Sequence, residues 1–239
     1  SWCRECGIAT DSFVTLPGKN SSSYVSIHRN DGEMAVALSD MRILQELTPA
    51  RLEPMRDKLS AAAAIVVDGC LPQETLRYII RTFGGSVPIF ADPVSTAYAR
   101  RMRPVLRGID TLKPNRLEAE ILSGRTIRCE ADYFRAAEGI LAQGVRRVII
   151  SAGSRGCYYA DAMGQRLWSR TRPLQQVENA TGAGDAFFAG TVIGLTYGKT
   201  LAESCEIGSR LAASVICITE NVCPRFRPLE FGLNIPVVD

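Results

Sequence analysis

The hydrophobic and polar positions of this chain follow two alternating patterns from residue 48 onward. Short apolar runs at residues 64–67, 87–90 and 147–150 are typical of buried strands, and stretches with helical spacing lie between them. Such alternation predicts a mostly parallel sheet with helices on both faces, which is the architecture of an α/β fold. The predicted helices cover residues 49–62, 73–83, 97–103, 115–122, 131–142, 183–197 and 200–218, and a hairpin is predicted at residues 157–169.

The segment before this alternation predicts a β-hairpin at residues 21–38. Residues 24–28 and 34–38 form its strands, and the Asn-Asp-Gly-Glu sequence at residues 30–33 supplies the turn. The hairpin is either an edge of the main sheet or a lid-like flap over a pocket, with serine hydroxyls such as that of Ser23 at its base. We expect residues 1–239 to form a single domain that contains this lid-like element.

The composition is that of a soluble globular protein. Of 239 residues, 46% are hydrophobic and 22% are charged, and a net charge of +3 with scattered arginines gives no indication of a nucleic-acid partner. No apolar run approaches the ~20 residues needed to cross a bilayer, so no membrane partner is expected. The eight cysteines lie mostly in apolar surroundings, which is typical of a reduced, cytoplasmic protein.

The single histidine, His28, limits the chemistry that the chain offers. It lies in a strand-like run without a neighbouring acid and nucleophile, which argues against Ser-His-Asp and Cys-His mechanisms. Acid–base chemistry is therefore expected to fall to a carboxylate or a lysine.

Polar or glycine residues follow four of the predicted strands, which are the three apolar runs above and a strand at residues 108–112. Because ligands bind outside the carboxyl ends of the strands in open α/β sheets, these residues are expected to line one site. Each of them alone could be an ordinary turn residue, whereas four together favour a ligand site. The residues concerned are Asp68, Asp92, Lys113 with Asn115, and Ser151 with Gly153.

A glycine-rich stretch at residues 179–190 leads into an apolar helix. Gly182 and Gly184 let the backbone approach an anion closely, and the unpaired N–H groups of the first helical turn would face that anion. Asp185, in the same turn, is suited to take a proton from a hydroxyl that attacks phosphorus. The simpler alternative is that Thr181 or Asp185 only caps the helix.

Asn115 and Glu118 open another predicted helix with the spacing of a capping box. The alternative is that both face the ligand and hold Mg²⁺ through water, since Mg²⁺ binds few carboxylates and keeps its water ligands. Lys113 could balance phosphate charge. The turn at residues 151–156 is either a plain glycine-rich connection or a loop that approaches a nucleotide.

These motifs together resemble the ribokinase/PfkB family of sugar and nucleoside kinases. The Thr-Gly-Ala-Gly-Asp sequence at residues 181–185 matches the C-terminal motif of that family, and residues 115–118 match its N-x-x-E motif. The turn at residues 151–156 matches its nucleotide loop. Within the family, residues 23–26, 32–34, 39–41, 91–95 and 111–120 are most similar to members that act on pseudouridine.

The resemblance implies ATP-dependent phosphorylation of a nucleoside or sugar, with the 5′-hydroxyl of pseudouridine as the leading substrate. It implies a ribokinase-like sheet, a small-molecule substrate, ATP and Mg²⁺ as cofactors, K⁺ as a further candidate, and a homodimer as a candidate assembly. The implied catalytic base is Asp185. The implied anion hole comprises Gly182, Ala183 and Gly184. The implied ATP site comprises Lys113, Asn115, Ser151, Gly153 and Gly156; the metal set is Asn115 and Glu118, and the substrate set is Ser23, Asp68 and Asp92.

The chain departs from the family pattern in two ways. It begins downstream of the first strand and the Gly-Gly segment that grip the sugar, so we expect part of the pocket and sheet to be absent. Asn179 stands where many relatives have an aspartate that helps to hold a monovalent cation. Two other hypotheses therefore stay open, namely a kinase for ribose or another furanose and a non-catalytic fragment that binds a nucleotide or sugar.

Overall fold

A computed structural model of the chain describes residues 2–28, 34–171, 181–218, 222 and 226–234. Within these residues, the strands are β1 (Ser23–His28), β2 (Met34–Asp40), β3 (Ile65–Asp68), β4 (Ile89–Asp92), β5 (Thr111–Leu112), β6 (Arg147–Ser151), β7 (Cys157–Asp161) and β8 (Arg166–Ser169). The α-helices are α1 (Trp2–Glu5), α2 (Pro49–Leu52), α3 (Arg56–Ser60), α4 (Gln73–Phe83), α5 (Thr96–Met102), α6 (Arg116–Ser123), α7 (Glu130–Leu141), α8 (Ala183–Thr196) and α9 (Leu201–Ile216).

The main sheet has six strands in the order β3-β4-β5-β6-β7-β8. Strands β3 to β6 run parallel because a helical crossover separates each from the next, whereas β7 and β8 are antiparallel because short turns join them to their neighbours. The sequence-based prediction of a mostly parallel sheet with a hairpin at its end is confirmed.

Helices cover both faces of this sheet, and β6 shows how. Val148 and Ile150 point into the larger core, which includes Phe83 and Leu122, while Ile149 between them faces the opposite side. There it packs in a second cluster with residues of α8 and α9. Alternate residues of a strand point to opposite faces, so a continuous apolar run is required when both faces are buried.

Helices α8 and α9 approach each other unusually closely through two glycines. A Cβ at Gly190 would lie 2.8 Å from the Cα of Gly208, and a Cβ at Gly208 would lie 2.4 Å from the carbonyl oxygen of Phe187. The close approach fixes α8, whose first turn carries Asp185, against the rest of the domain.

Gly208→Ala is expected to destabilise the fold by about 1–3 kcal/mol, because the added methyl meets backbone atoms that cannot move aside. In an unobstructed helix the same change would stabilise by about 1 kcal/mol. Thermal unfolding followed by circular dichroism measures the effect. Gly85→Ala is the matched control, since a Cβ there meets nothing within 4 Å. Equal unfolding midpoints for the two variants would contradict the prediction, because they would show that α8 and α9 can move apart at little cost.

The prediction of one continuous helix at residues 49–62 is wrong. This segment contains two helices, α2 and α3, which are separated by a 3-10 turn over Glu53–Met55. Pro54 lies in this turn, and a proline inside a helix removes a backbone donor and clashes with the preceding turn. The other 3-10 helices of the described residues are Arg42–Glu46, Arg103–Val105, Gly153–Arg155 and Pro228–Phe231.

Strands β1 and β2 form a separate two-stranded antiparallel sheet. The predicted hairpin strands are therefore confirmed, and the alternative that they form an edge of the main sheet is wrong. The predicted turn at residues 30–33 lies outside the described residues, and the lid-like role of the hairpin stays a prediction. Among the helices described, none is long and apolar enough to span a membrane.

Candidate active site

The four predicted strand ends lie side by side along one rim of the sheet. Asp68 and Asp92 are register partners at the ends of β3 and β4. Lys113 follows β5 and donates its backbone N–H to the Ala91 carbonyl at 3.0 Å. Ser151 ends β6 and forms a parallel bridge with Asn115. The rim expected from the sequence therefore exists, although the roles of its residues stay predictions.

Lys113 and Asp92 form a buried ion pair at the centre of this rim. The distance from Lys113 Nζ to Asp92 Oδ2 is 2.6 Å, and the two side chains are only 7% and 10% exposed. The other carboxylate oxygen of Asp92 accepts the backbone N–H of Val94 at 2.9 Å. Two charges buried this deeply require each other, because either one alone would lose its hydration without compensation.

The same lysine reaches the helix that carries the predicted catalytic base. Its Nζ lies 3.5 Å from the carbonyl oxygen of Gly184 and 5.7 Å from the ring centre of Phe188. A Cβ at position 184 would lie 3.7 Å from this nitrogen. Lys113 thus brings the strand rim and the start of α8 together, although the two segments are far apart in the sequence.

Helix α8 begins at Gly182 in the way an anion site requires. Gly182 is the N-cap residue with a left-handed φ of 83°, and as a glycine it provides no side-chain cap of its own. The simpler alternative, a cap by Thr181 or Asp185, stays beside the anion-site interpretation. The first amides of a helix have no partner within the helix, and Asp185 lies exposed in this first turn.

The surroundings of Asp185 raise the pKa of its carboxyl group. Loss of water around the group is the main cause, repulsion by Asp92 adds to it, and the positive charge of Lys113 opposes it. Asp68 also raises this pKa. A base with a raised pKa holds a proton more readily, which suits general base catalysis nearer to neutral pH.

If Asp185 is the base, kcat/KM should fall at low pH as this carboxyl group is protonated. Asp92→Asn removes a negative neighbour, so it should lower the pKa of Asp185 and move the acid limb of the pH profile to lower pH. Comparing the two profiles cancels the titration of ATP itself. Arg135→Gln, a charge change at an exposed residue of α7, should leave the acid limb in place. An acid limb that moves to higher pH in Asp92→Asn would contradict the assignment.

Asn115 and Glu118 form the capping box predicted from their spacing. The Glu118 N–H donates to Asn115 Oδ1 at 3.0 Å, and the Asn115 N–H donates to Glu118 Oε2 at 2.8 Å. Glu118 is buried, which raises the pKa of its carboxyl group, whereas Asn115 is exposed. The capping geometry does not exclude a metal role, since carboxylate oxygens keep further lone pairs.

The residues present fit a weakly held divalent cation better than a closed metal site. No group of three or more His, Cys, Asp or Glu side chains able to hold a metal occurs among the described residues. Mg²⁺ keeps several water ligands and takes one or two carboxylates, so these residues fit it in type, and the metal role of Glu118 and Asn115 stays a prediction.

The turn after β6 contains the other predicted ATP ligands. Gly153 begins a 3-10 helix with a positive φ of 59°, and the Ala152 N–H donates to the Gly156 carbonyl at 2.8 Å. A Cβ at Gly156 would lie 2.0 Å from the Ser169 carbonyl oxygen, so a structural reason for this glycine is the close approach of β8. Ser151 and Gly153 lie at the rim, where their predicted contact with ATP stays a prediction.

The predicted substrate residues are not equally placed. Asp68 is exposed at the rim and accepts the Cys70 backbone N–H at 2.8 Å. Asp92 is buried against Lys113, and Ser23 lies in the two-stranded sheet, where it pairs with Asp40. Asn179, the predicted cation-site position, lies outside the described residues.

One residue of the rim escaped the sequence analysis. Val94 has a left-handed φ of 67° and is exposed. It is the middle residue of a tight turn in which the Ser95 N–H donates to the Pro93 carbonyl at 2.8 Å. A β-branched residue in this conformation is strained, and such strain is concentrated at functional sites. No sequence signal marks it, because a positive φ is expected at Gly or Asn instead.

Comparison with known proteins identifies the family to which the chain is similar. The family model described as pfkB family carbohydrate kinase matches residues 1–220. The pseudouridine kinase of Escherichia coli (strain K12) is 39% identical over 201 residues, which are 84% of this chain and 63% of that protein. An uncharacterized sugar kinase of the same organism is 30% identical, over 88% of this chain and 58% of its own length. The chain therefore spans less than two thirds of these relatives.

Solved structures share the fold. A carbohydrate kinase from Agrobacterium tumefaciens matches with a TM-score of 0.79 and 24% identity, over 97% of this chain and 73% of that chain. Arabidopsis thaliana ribokinase, solved in complex with ribose and ATP, matches with a TM-score of 0.78 and 19% identity, over 90% and 69% of the two chains. The predicted ribokinase-like fold is thereby confirmed.

Proposed function

Because this chain belongs to the pfkB family of carbohydrate kinases, we propose that the protein transfers the γ-phosphoryl group of ATP to a hydroxyl group of a nucleoside or sugar. The observation that carries the proposal is the position of Asp185 in the first turn of a glycine-capped helix, close to the buried Lys113. A carboxylate base beside a cluster of backbone donors suits in-line phosphoryl transfer.

In the proposed reaction, Asp185 accepts the proton of the substrate hydroxyl as its oxygen attacks the γ-phosphorus. The new P–O bond forms while the bond to the bridging oxygen of ADP breaks, so the products are the phosphorylated alcohol and ADP. Backbone N–H groups at Gly182, Ala183 and Gly184 would hold the transferring phosphoryl group. The left-handed conformation of Gly182 at the start of α8 supports this role.

The remaining rim residues are proposed to hold ATP. Ser151, Gly153 and Gly156 would lie along the nucleotide. Lys113 would contribute positive charge that balances the charge of the phosphates. Asn115 and Glu118 would organise a divalent cation, most simply Mg²⁺, through water. When bound with ATP, that cation neutralises phosphate charge. K⁺ is kept as a candidate only.

The substrate that we propose is pseudouridine, phosphorylated on its 5′-hydroxyl. Support comes from the 39% identity to a pseudouridine kinase. Asp68 is the substrate residue best supported by its position, because it is exposed at the rim and interacts electrostatically with Asp185. Ser23 and Asp92 complete the proposed set of substrate residues. Asp92 would contribute to the site while it remains paired with Lys113.

Two other functions are alternatives. A kinase for ribose or another furanose is supported by the 30% identity to an uncharacterized sugar kinase. A non-catalytic module that binds a nucleotide or sugar is the alternative from a different functional class.

A substrate panel separates these functions. The purified chain is incubated with ATP, Mg²⁺ and either pseudouridine, uridine or ribose, and ADP and the phosphorylated product are quantified by mass spectrometry. A kinase for pseudouridine should give the highest kcat/KM with that nucleoside. A higher value with ribose would favour the furanose kinase. Binding of ATP and ligand in calorimetry without any product would favour the non-catalytic module.

A further inference from the structure

A cleft lies next to the rim, between the segment that follows β2 and helix α5. Its volume is about 520 Å³, within the usual range for small-molecule sites. Neither the catalytic proposal nor the ATP proposal uses it. Its lining consists of Ser39, Asp40, Met41, Arg42, Gln45 and Tyr98.

Tyr98 connects this cleft to the rim. The side chain of Tyr98 interacts electrostatically with that of Cys70, which follows β3. Gly69 passes so close that a Cβ there would lie 2.8 Å from the Cβ of Tyr98. Asp68, the preceding residue, interacts electrostatically with both Tyr98 and Asp185. The cleft therefore opens beside the exposed carboxylate of the rim that is proposed to face the substrate.

The charges of the cleft favour a neutral polar ligand. Arg42 donates to both carboxylate oxygens of Asp40, with Nε 2.9 Å from Oδ1 and Nη2 2.5 Å from Oδ2. The positive charge of Arg42 and the negative charge of Asp40 compensate each other, so the cleft attracts neither a phosphate nor a metal ion strongly. Each oxygen of Asp40 still has a lone pair for a ligand N–H, and guanidinium hydrogens remain for a ligand carbonyl.

The remaining lining adds a flat surface and an amide. The ring of Tyr98 is half-buried, with the Arg101 guanidinium 5.3 Å from the ring centre. An aromatic ring is a stacking surface for a planar heterocycle. Gln45, which is exposed, offers one amide donor group and one acceptor at the same cleft.

We infer that this cleft binds the base of a nucleoside substrate, a neutral pyrimidine with neighbouring carbonyl and ring N–H groups. The inference rests on the proposed function, because it assumes that the hydroxyl on the far side of the sugar reaches Asp185. It assigns Tyr98 as the stacking residue, and Asp40 and Gln45 as residues that read the edge of the base. Free ribose lacks the group that this cleft binds.

The test compares Tyr98→Ala, Tyr98→Phe and Gln45→Ala with the unmodified chain, using pseudouridine, uridine and ribose as substrates with ATP. Tyr98→Ala should raise the KM for the nucleosides about tenfold, since stacking on an aromatic ring is lost. Its kinetics with ribose should stay within about twofold. Tyr98→Phe should retain most of the affinity for nucleosides because the ring remains. Gln45→Ala should weaken the binding of nucleosides and leave that of ribose unchanged.

Tyr197→Ala is the matched control, because this tyrosine lies exposed after the far end of α8. Circular dichroism and ATP binding show whether each variant is folded. An unchanged nucleoside KM in Tyr98→Ala, in a chain that phosphorylates nucleosides, would overturn the inference and leave the proposed function standing. If no substrate is phosphorylated, the proposed function fails, and calorimetry with pseudouridine then tests whether the cleft binds the base. Binding that is weakened in Tyr98→Ala supports the inference, and unchanged or absent binding overturns it.

Discussion

Asp185→Asn is expected to lower kcat by about 10²–10⁴-fold, because the variant lacks the group that takes the proton from the attacking hydroxyl. The affinity for ATP should stay nearly unchanged, since the amides at the start of α8 and the strand rim remain in place. Asparagine has almost the same shape as aspartate. The raised pKa of Asp185 means that its charged form is disfavoured in the folded protein. Replacing it with a neutral side chain should therefore not weaken the fold. Steady-state kinetics with pseudouridine and calorimetry with ATP measure the two quantities.

Asp57→Asn is a suitable control for this prediction. Asp57 is likewise exposed in the first turn of a helix, α3, but it belongs to a different part of the chain. This variant should retain full activity. Retention of activity in Asp185→Asn would contradict the role of the carboxylate as base, and loss of ATP affinity with loss of turnover would indicate a positioning role instead.

Lys113→Met is expected to lower the free energy of unfolding by about 3–5 kcal/mol, because it leaves the Asp92 carboxylate buried without its partner. Methionine preserves much of the aliphatic volume of lysine, so the loss reports the charge rather than a cavity. Urea denaturation followed by tryptophan fluorescence measures the change. The exposed pair of Lys58 and Asp11 provides the control, and Lys58→Met should have a far smaller effect.

The double variant Lys113→Met/Asp92→Asn separates structure from phosphate binding. It removes both charges, and the amide oxygen of the introduced asparagine can still accept the Val94 N–H, so much of the lost stability should return. If ATP affinity remains low in this restabilised protein, Lys113 contributes directly to the phosphates. If ATP affinity returns with stability, its role is to hold the rim. Equal destabilisation in the single and double variants would contradict the ion-pair interpretation.

The order of strands and helices could be predicted from the sequence because it depends on local periodicity. The apolar run of β6, the helix start at residue 183 and the capping box of Asn115 and Glu118 each lie within a few neighbouring residues. Their spacing already contains the geometry that the structure shows. The same reasoning failed at Pro54, where a single missing N–H divides one predicted helix into two.

The sequence by itself determined the α/β class, the strand ends that form the rim and the glycine-lined helix start. Only the tertiary structure decided that Lys113 pairs with Asp92 beneath the first turn of α8, that Val94 is strained, and that Tyr98 lines a cleft beside Asp68. These features join segments from different elements. Local periodicity carries no record of which side chains meet across a folded sheet, because that depends on how all the elements pack together.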